Sequence, residues 1–291
     1  MRRDRDVTMG IKLKPITNGF GAYASGINLS DKLSKKATDE IEAGMDRYAV
    51  LVWRESDISD DALVNLAERF GKLEISFLSK VRGKSGPDNK SLVPISNVED
   101  NGQILKRDGR RLGSQIANQF WHSDSSFMRS VAKYSFLSAR ILPNEGGDTE
   151  FADLRAAYET LPNDLKILIE GLVAEHHVFH SRMALGLIYT PEEIAASPPA
   201  YWPLVRIHPS TKRKVVFPPV HIRSINGMSD PEARLLVTEL LEHSTQKCFC
   251  FTHKWEKGDL VIWDNRVTLH RGKRYNLNEP RILRRITTMQ P

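Results

Sequence analysis

From Cys248 onward the chain reads as one strand after another: CFCFTHKW, DLVIWDN and RILRRITT are short β-branched or aromatic runs set off by polar residues. An ending of this kind rules out an all-helical fold. Further strands are predicted at YAVLVWR and around Tyr134–Arg140, with ribbons over 12–30, where Gly19, Gly21 and Gly26 punctuate the chain, and over 204–217. Four helices are predicted between them. Ile41, Met45 and Tyr48 recur at helical spacing between Ala37 and Tyr48, a second helix runs from Ser59 to Gly71, and a third from Asp153 to about Leu161 after a Gly146-Gly147 turn. The fourth opens at the capping box Ser229-Asp230-Pro231-Glu232 and runs to about His243. No repeat or compositional break divides the chain, so the expectation is a single domain over 1–291, mainly β with flanking helices. The stretch 78–116 fits neither period and is expected to be a long loop, an active-site lid.

Composition narrows the class. With 40% hydrophobic and 27% charged residues in 291, the chain has ordinary globular usage and enough length for a sizeable core. The longest apolar runs, such as Tyr48–Trp53, fall far short of the roughly 20 residues that span a bilayer. The opening MRRDRDVTMG mixes both charge signs with no apolar stretch behind it, so a cytoplasmic address is expected. Cys248 and Cys250 lie two apart, where a mutual disulfide would be strained, and are expected to be reduced core residues. A net charge of +6 admits nucleic acid or an anionic small substrate. No nucleic-acid motif accompanies the basic clusters, so a small acid is the expected partner.

The chemistry concentrates in FWHSDSSF. An extended backbone puts His122 and Asp124 on one face, where both can hold one ion, and VIWDNRVTLH offers His270 as a third ligand. Two histidines and a carboxylate form the facial triad of non-haem Fe(II) oxygenases. The same three residues also suit zinc and an activated water in a hydrolase, and a histidine hydrogen-bonded to an aspartate for purely structural reasons fits the bare triplet. In RILRR, period two places Arg281 and Arg285 on one face, which suits capture of two carboxylates by planar guanidinium forks. Trp121 and Trp263 are expected in the core, and His176, His177, His180, His243 and His253 in surface or packing roles.

The segments WHSDSSF, KYSFLSARILP, GGDTEFADLRAAYETLP, HKW, WDNRVTLH and PRILRR together resemble the taurine and phenoxyacetate dioxygenase family of Fe(II)- and 2-oxoglutarate-dependent enzymes, and within it the 2,4-dichlorophenoxyacetate dioxygenases. The resemblance covers nearly the whole chain. It implies a double-stranded β-helix, or jelly roll, with His122, Asp124 and His270 as iron ligands. It further implies that Thr149 and Arg281 bind the distal carboxylate of 2-oxoglutarate, that Arg285 holds the substrate carboxylate, and that His208 and His221 lie near the substrate ether and ring. The cofactors implied are Fe(II), 2-oxoglutarate and O2, with ascorbate as reductant in vitro. The reaction implied is hydroxylation of the carbon between ether oxygen and carboxylate, giving a phenol and glyoxylate, and a homo-oligomer is expected by analogy. The chain departs from the phenoxyacetate enzymes at their lid lysines: Gln103 falls near one such site, and Lys80, Lys84 and Lys106 are only loosely placed.

Overall fold

The computed structural model describes residues 10–75 and 91–290. Its larger sheet has seven strands in the order Lys12–Pro15, Ala22–Ser25, Val50–Trp53, Leu260–Asp264, Ala132–Ile141, Ile282–Met289 and Val93–Ser96. All neighbours are antiparallel except the pair Ala22–Ser25 and Val50–Trp53. The strands near its centre carry apolar side chains on both faces, which is why YAVLVW is an unbroken apolar run. Leu51, Phe136, Leu260, Ile262 and Ile286 face the helices Lys35–Tyr48 and Asp60–Glu68, whereas Val50, Val52, Leu137, Val261, Trp263 and Leu283 face inward. Ser34 and Ser59 cap those two helices, each hydroxyl accepting from the amide three residues on.

Opposite the inner face stands a three-stranded sheet with Thr149–Asp153 between Cys250–His253 and Thr268–Gly272. Phe151, Ala152 and Leu269 fill the space between the sheets. This is the two-layer architecture of the jelly roll. A third sheet, Ile222–Ile225, Val173–His176 and Ala200–Pro203, packs with the helix Asp230–Ser244 around Leu204, Val216 and Leu236. The ribbon predicted over 204–217 forms as Val205–Ile207 paired with Lys214–Val216. Among the described residues no helix is long and apolar enough to cross a membrane.

Two expectations change. Residues 78–90 of the expected lid lie outside the described residues, but Val93–Ser96 is the edge strand of the larger sheet and Arg110–Ile116 is a helix. Pro94 disguises the strand and is tolerated because one side of an edge strand needs no ladder donor. The helix is disguised by Gly113 and polar residues, because it borders a cavity rather than the core. Cys248 is not a core residue either. It lies exposed in the 3-10 turn Lys247–Phe249, and Cys250, the first residue of the next strand, is half-buried. Both thiols are free, as expected.

Candidate active site

Chain register builds the centre. His122 and His270 exchange two backbone hydrogen bonds, the His122 amide donating to the His270 carbonyl at 3.0 Å and the reverse at 2.8 Å, which ties WHSD to the strand Thr268–Gly272. Their rings stand 4.2 Å apart between centroids, and Asp124 joins them two residues on. All three side chains are buried, with one ligand atom from each within 4.8 Å of the others.

Each ligand is oriented from behind. His122 Nδ1 lies 2.8 Å from the Phe120 carbonyl, which places the ring proton there and turns the Nε2 lone pair to the centre. Asp124 Oδ2 accepts from Ser135 Oγ at 2.7 Å, and its amide donates to Asn265 Oδ1 at 3.1 Å. Asn265, held in turn by Trp263 Nε1 and donating to Ser135 Oγ, fixes the whole group. Trp263 also packs on the His270 ring at 4.6 Å. Burial holds both imidazoles below the usual histidine range, and therefore neutral. Burial alone would raise Asp124, but the Arg285 charge, with the Ser135 hydrogen bond, outweighs it and keeps the carboxylate ionised. Two neutral imidazoles and one carboxylate are the donor set of a divalent transition metal. The fit has a second support in His270: its Nδ1 is buried without a partner, and its Nε2 stands 3.7 Å from Asp124 Oδ2, too far for a hydrogen bond.

Two cavities meet at this centre, sharing Ile95, Gln115, Asn118, His122 and Arg285. The small arm, about 60 Å³, reaches past His270 to Thr149, Tyr275 and Arg281. Arg281 is buried, with Nη2 on the Gly147 carbonyl at 2.8 Å and Nε without a partner. Burial lowers its pKa to about 10, against the opposing influence of Tyr275 and Asp148, so it remains a cation. Gly147 is required here on two counts: its φ is +73°, and a Cβ would stand 2.8 Å from Arg281 Nε. Trp255 Nε1 donates to Thr149 Oγ1 at 3.0 Å and sets the hydroxyl.

The large arm, about 650 Å³, opens between the helix Arg110–Ile116 and the segment 178–197. Phe127, Phe179 and Tyr189 supply apolar walls, and His221 packs edge-on to Phe127 at 5.1 Å. At its rim Arg110 grips both oxygens of Glu193, at 2.9 and 2.8 Å, and lies 4.2 Å over Tyr189. Arg285, between the arms, donates to Asp124 Oδ1 and keeps a buried, unpartnered Nε.

The chain matches the family described as "Taurine catabolism dioxygenase TauD, TfdA family" over residues 12–287. It belongs to the TauD/TfdA family. Among curated TauD/TfdA-like proteins it is 44% identical to the alpha-ketoglutarate-dependent 2,4-dichlorophenoxyacetate dioxygenase of Cupriavidus pinatubonensis, over 97% of this chain and 98% of that one. It is 33% identical to the (S)-phenoxypropionate/alpha-ketoglutarate-dioxygenase of Sphingobium herbicidovorans, over 93% and 92%. The crystal structure of AAD-2 in complex with Mn(II) and N-oxalylglycine superposes with a TM-score of 0.89 at 41% identity, covering 97% of each chain. The TauD/TfdA assignment makes the chain a 2-oxoglutarate-dependent non-haem iron dioxygenase with a jelly-roll fold.

Of the residues singled out in the sequence, the structure brings His122, Asp124, His270, Thr149, Arg281, Arg285 and His221 to the two arms. His208 is not brought there. It is buried in a polar cluster, with Nδ1 3.0 Å from Thr211 Oγ1 and Nε2 3.1 Å from Asp264 Oδ2, a carboxylate also gripped by Arg266. Gln103 and Lys106 are exposed and line neither arm; Lys80 and Lys84 lie outside the described residues. His176 and His177 take the packing alternative and are buried, and His176 ends the strand Val173–His176. Trp263, expected only in the core, is both core and cavity wall. Ser135, Asn265 and Arg182 were not singled out. Asn265 is the last residue of the WDN motif, whereas the positions of Ser135 and Arg182 relative to the centre carry no local signature.

Proposed function

We propose that this dioxygenase hydroxylates the carbon next to the carboxylate of a phenoxyalkanoic acid such as 2,4-dichlorophenoxyacetate, acting in the cytoplasm. In this reading His122, Asp124 and His270 hold Fe(II), while Arg281 and Thr149 bind the distal carboxylate of 2-oxoglutarate. Arg285 binds the substrate carboxylate, and His221 lies along the substrate. The observation that carries it is a pair of guanidinium groups about a single three-ligand centre, Arg281 buried in the small arm and Arg285 half-buried where the two arms meet. Two acids are thereby addressed to one metal, and the relatives' names describe two acids. N-oxalylglycine, bound by AAD-2, has the two terminal carboxylates that the small arm would take as 2-oxoglutarate.

When bound, iron and oxygen couple decarboxylation of 2-oxoglutarate to hydroxylation of the substrate, whose hemiacetal product collapses to a phenol and glyoxylate, or pyruvate from a propionate. The protein's own part is positioning. Ser135 and Asn265 keep Asp124 turned to the centre, and the Phe120 carbonyl keeps His122 in the tautomer with Nε2 unprotonated. Arg281, at the closed end of a narrow arm, can draw one carboxylate in to full length. Arg285 fixes the other acid so that only its adjacent C–H faces the metal. Phe127 and Phe179 keep water from the aryl end.

Purified protein with Fe(II), ascorbate, O2 and 2-oxoglutarate should release succinate and phenol in equal amounts when 2,4-dichlorophenoxyacetate is added. Slow succinate release independent of that acid would remove the phenoxyacetate assignment and favour a sulfonate or another aryl or alkyl acid. A homo-oligomer is part of the proposal, with Ile167, Ile188 and Leu235 as exposed apolar surface. Light scattering giving a 291-residue monomer mass at assay concentration would remove that part.

A further inference from the structure

We infer that Arg182 is a second substrate-anchoring residue, gripping the acid group of the substrate together with Arg285, so that the large arm recognises an organic acid between two guanidinium groups. The inference deepens the reading above and rests on it.

Arg182 follows the cavity-lining Ser181 in the short helix His180–Met183 and lines the large arm with Arg285 and His221. Its side chain makes one hydrogen bond, Nη1 to the Val178 carbonyl at 2.6 Å, four residues back. That bond uses one of five guanidinium donors. Arg110, Arg155 and Arg266 have the carboxylates of Glu193, Asp153 and Asp264, whereas Arg281 of the small arm, like Arg182, is bonded only to a carbonyl. Arg182 has no carboxylate partner among the described residues.

Its position relative to the centre is given by the cavity, whose wall it shares with His122, Asp124, His221 and Arg285. Burial lowers the Arg182 pKa, and the charge of Arg285 lowers it further. The same Arg182 charge acts on the rings of His122 and His221. Two half-buried guanidinium groups thus line one arm, Arg285 spending one donor on Asp124 and Arg182 one on the Val178 carbonyl. The donors each has left, Arg285 Nε among them, suit an anion shared between the two. The apolar walls continue away from this cationic end at Phe127, Val178 and Phe179, which suits an acid with an apolar body. If Arg182 served only to hold the turn through Val178, one donor would suffice and a lysine would replace it.

The test is steady-state succinate formation with the acid that gives the fastest turnover in a panel of phenoxyalkanoates, aryl carboxylates and alkyl sulfonates. KM for that acid and for 2-oxoglutarate would be measured in wild type, Arg182→Leu, Arg182→Lys, Arg285→Ala and the Arg182→Leu/Arg285→Ala double variant. Arg182→Leu should raise the acid KM about 10-fold or more, with 2-oxoglutarate KM within about two-fold, as expected for a lost charged hydrogen bond on one ligand only. Arg182→Lys should recover part of that loss. The double variant should lose less than the product of the two single losses, because both side chains grip one group. An unchanged acid KM overturns the inference, as does a parallel rise in both KM values with a lowered melting temperature that lysine restores. A fully multiplicative double variant also overturns it, since the two arginines would then hold different groups. A wild-type enzyme that forms succinate with no acid in the panel sinks the proposed substrate class and this inference with it, and is told apart by the silence of Arg285→Ala in the same assay.

Discussion

The small arm past Arg281 holds about 60 Å³ and is walled largely by strands of both sheets and the turn after Thr268–Gly272, whereas the large arm holds about 650 Å³ and is walled largely by the helix Arg110–Ile116 and the segment 178–197. Hydrogen bonding follows the same division. Arg281 is fixed through its backbone by Asn97 Oδ1 at 2.8 Å and through its side chain by Gly147, and Asn97 is itself held by the carbonyls of Leu277 and Glu279. At the rim of the large arm the chief tie is the exposed pair Arg110 and Glu193, of a kind that contributes about 0–1 kcal/mol. A sheet-built arm is pre-shaped and tolerates little change in the length of what it holds. A loop-built arm can be resized without disturbing the sandwich. In this chain the three-ligand centre therefore belongs to strand-paired backbone, and the shape of the large arm to the segments between strands.

Three experiments would break or sharpen that division. The largest effect should come where the arms meet: His122→Ala removes a ligand common to both, so metal content by mass spectrometry and turnover should both fall to background. Retention of stoichiometric iron and activity would dissolve the idea of a shared junction. Next, Arg281→Ala and Arg285→Ala should act in opposite columns. The first should raise the KM for 2-oxoglutarate, and the second that for the acid substrate, each by roughly 10- to 100-fold, corresponding to about 1.5–3 kcal/mol for hydrogen bonds to a charged group. Equal losses of both ligands in either variant would mean that the arms are not independent.

The smallest effect concerns stability around the large arm. His176, whose charge would act on His221, is stacked on Phe217 at 5.8 Å with both ring nitrogens buried and unpartnered. Burial, aided by Arg206, lowers its pKa from 6.5 to about 3. Between those values the unfolded chain binds the proton and the folded chain does not, so stability is complete above pH 6.5 and is lost as pH falls toward 3. The loss should be roughly 2 kcal/mol at pH 5 and should shrink in His176→Phe, read by urea melts at pH 7 and pH 5. Identical acid sensitivity in wild type and variant would remove His176 as the cause.

Much of this was legible in the chain. The H-x-D triplet on extended backbone, a histidine after the strand LVIWD and two arginines of equal parity in RILRR all line the two arms, because strand parity decides which near neighbours share a face. Where parity was the wrong tool, expectation failed. Val93–Ser96 and Arg110–Ile116 were hidden in a stretch taken for loop, because an edge strand with Pro94 and a helix bordering a cavity both lack the apolar periodicity that core packing imposes. Cys248 turned out exposed because a 3-10 turn precedes the strand and breaks the alternation assumed for CFCF.

What the sequence by itself determined was the chemistry on offer and the local geometry of each piece: strands from alternation, helices from spacing and caps, and ligand types from their side chains. Those are properties of near neighbours along the chain. Only the tertiary structure decided that His270 pairs with His122 by backbone bonds, that His208 is turned away onto Asp264, and that Arg182 shares a cavity with Arg285. Each of these depends on which distant segments the two packed sheets bring face to face, and that is fixed by burying the apolar sides of all the strands together, a condition no single segment contains.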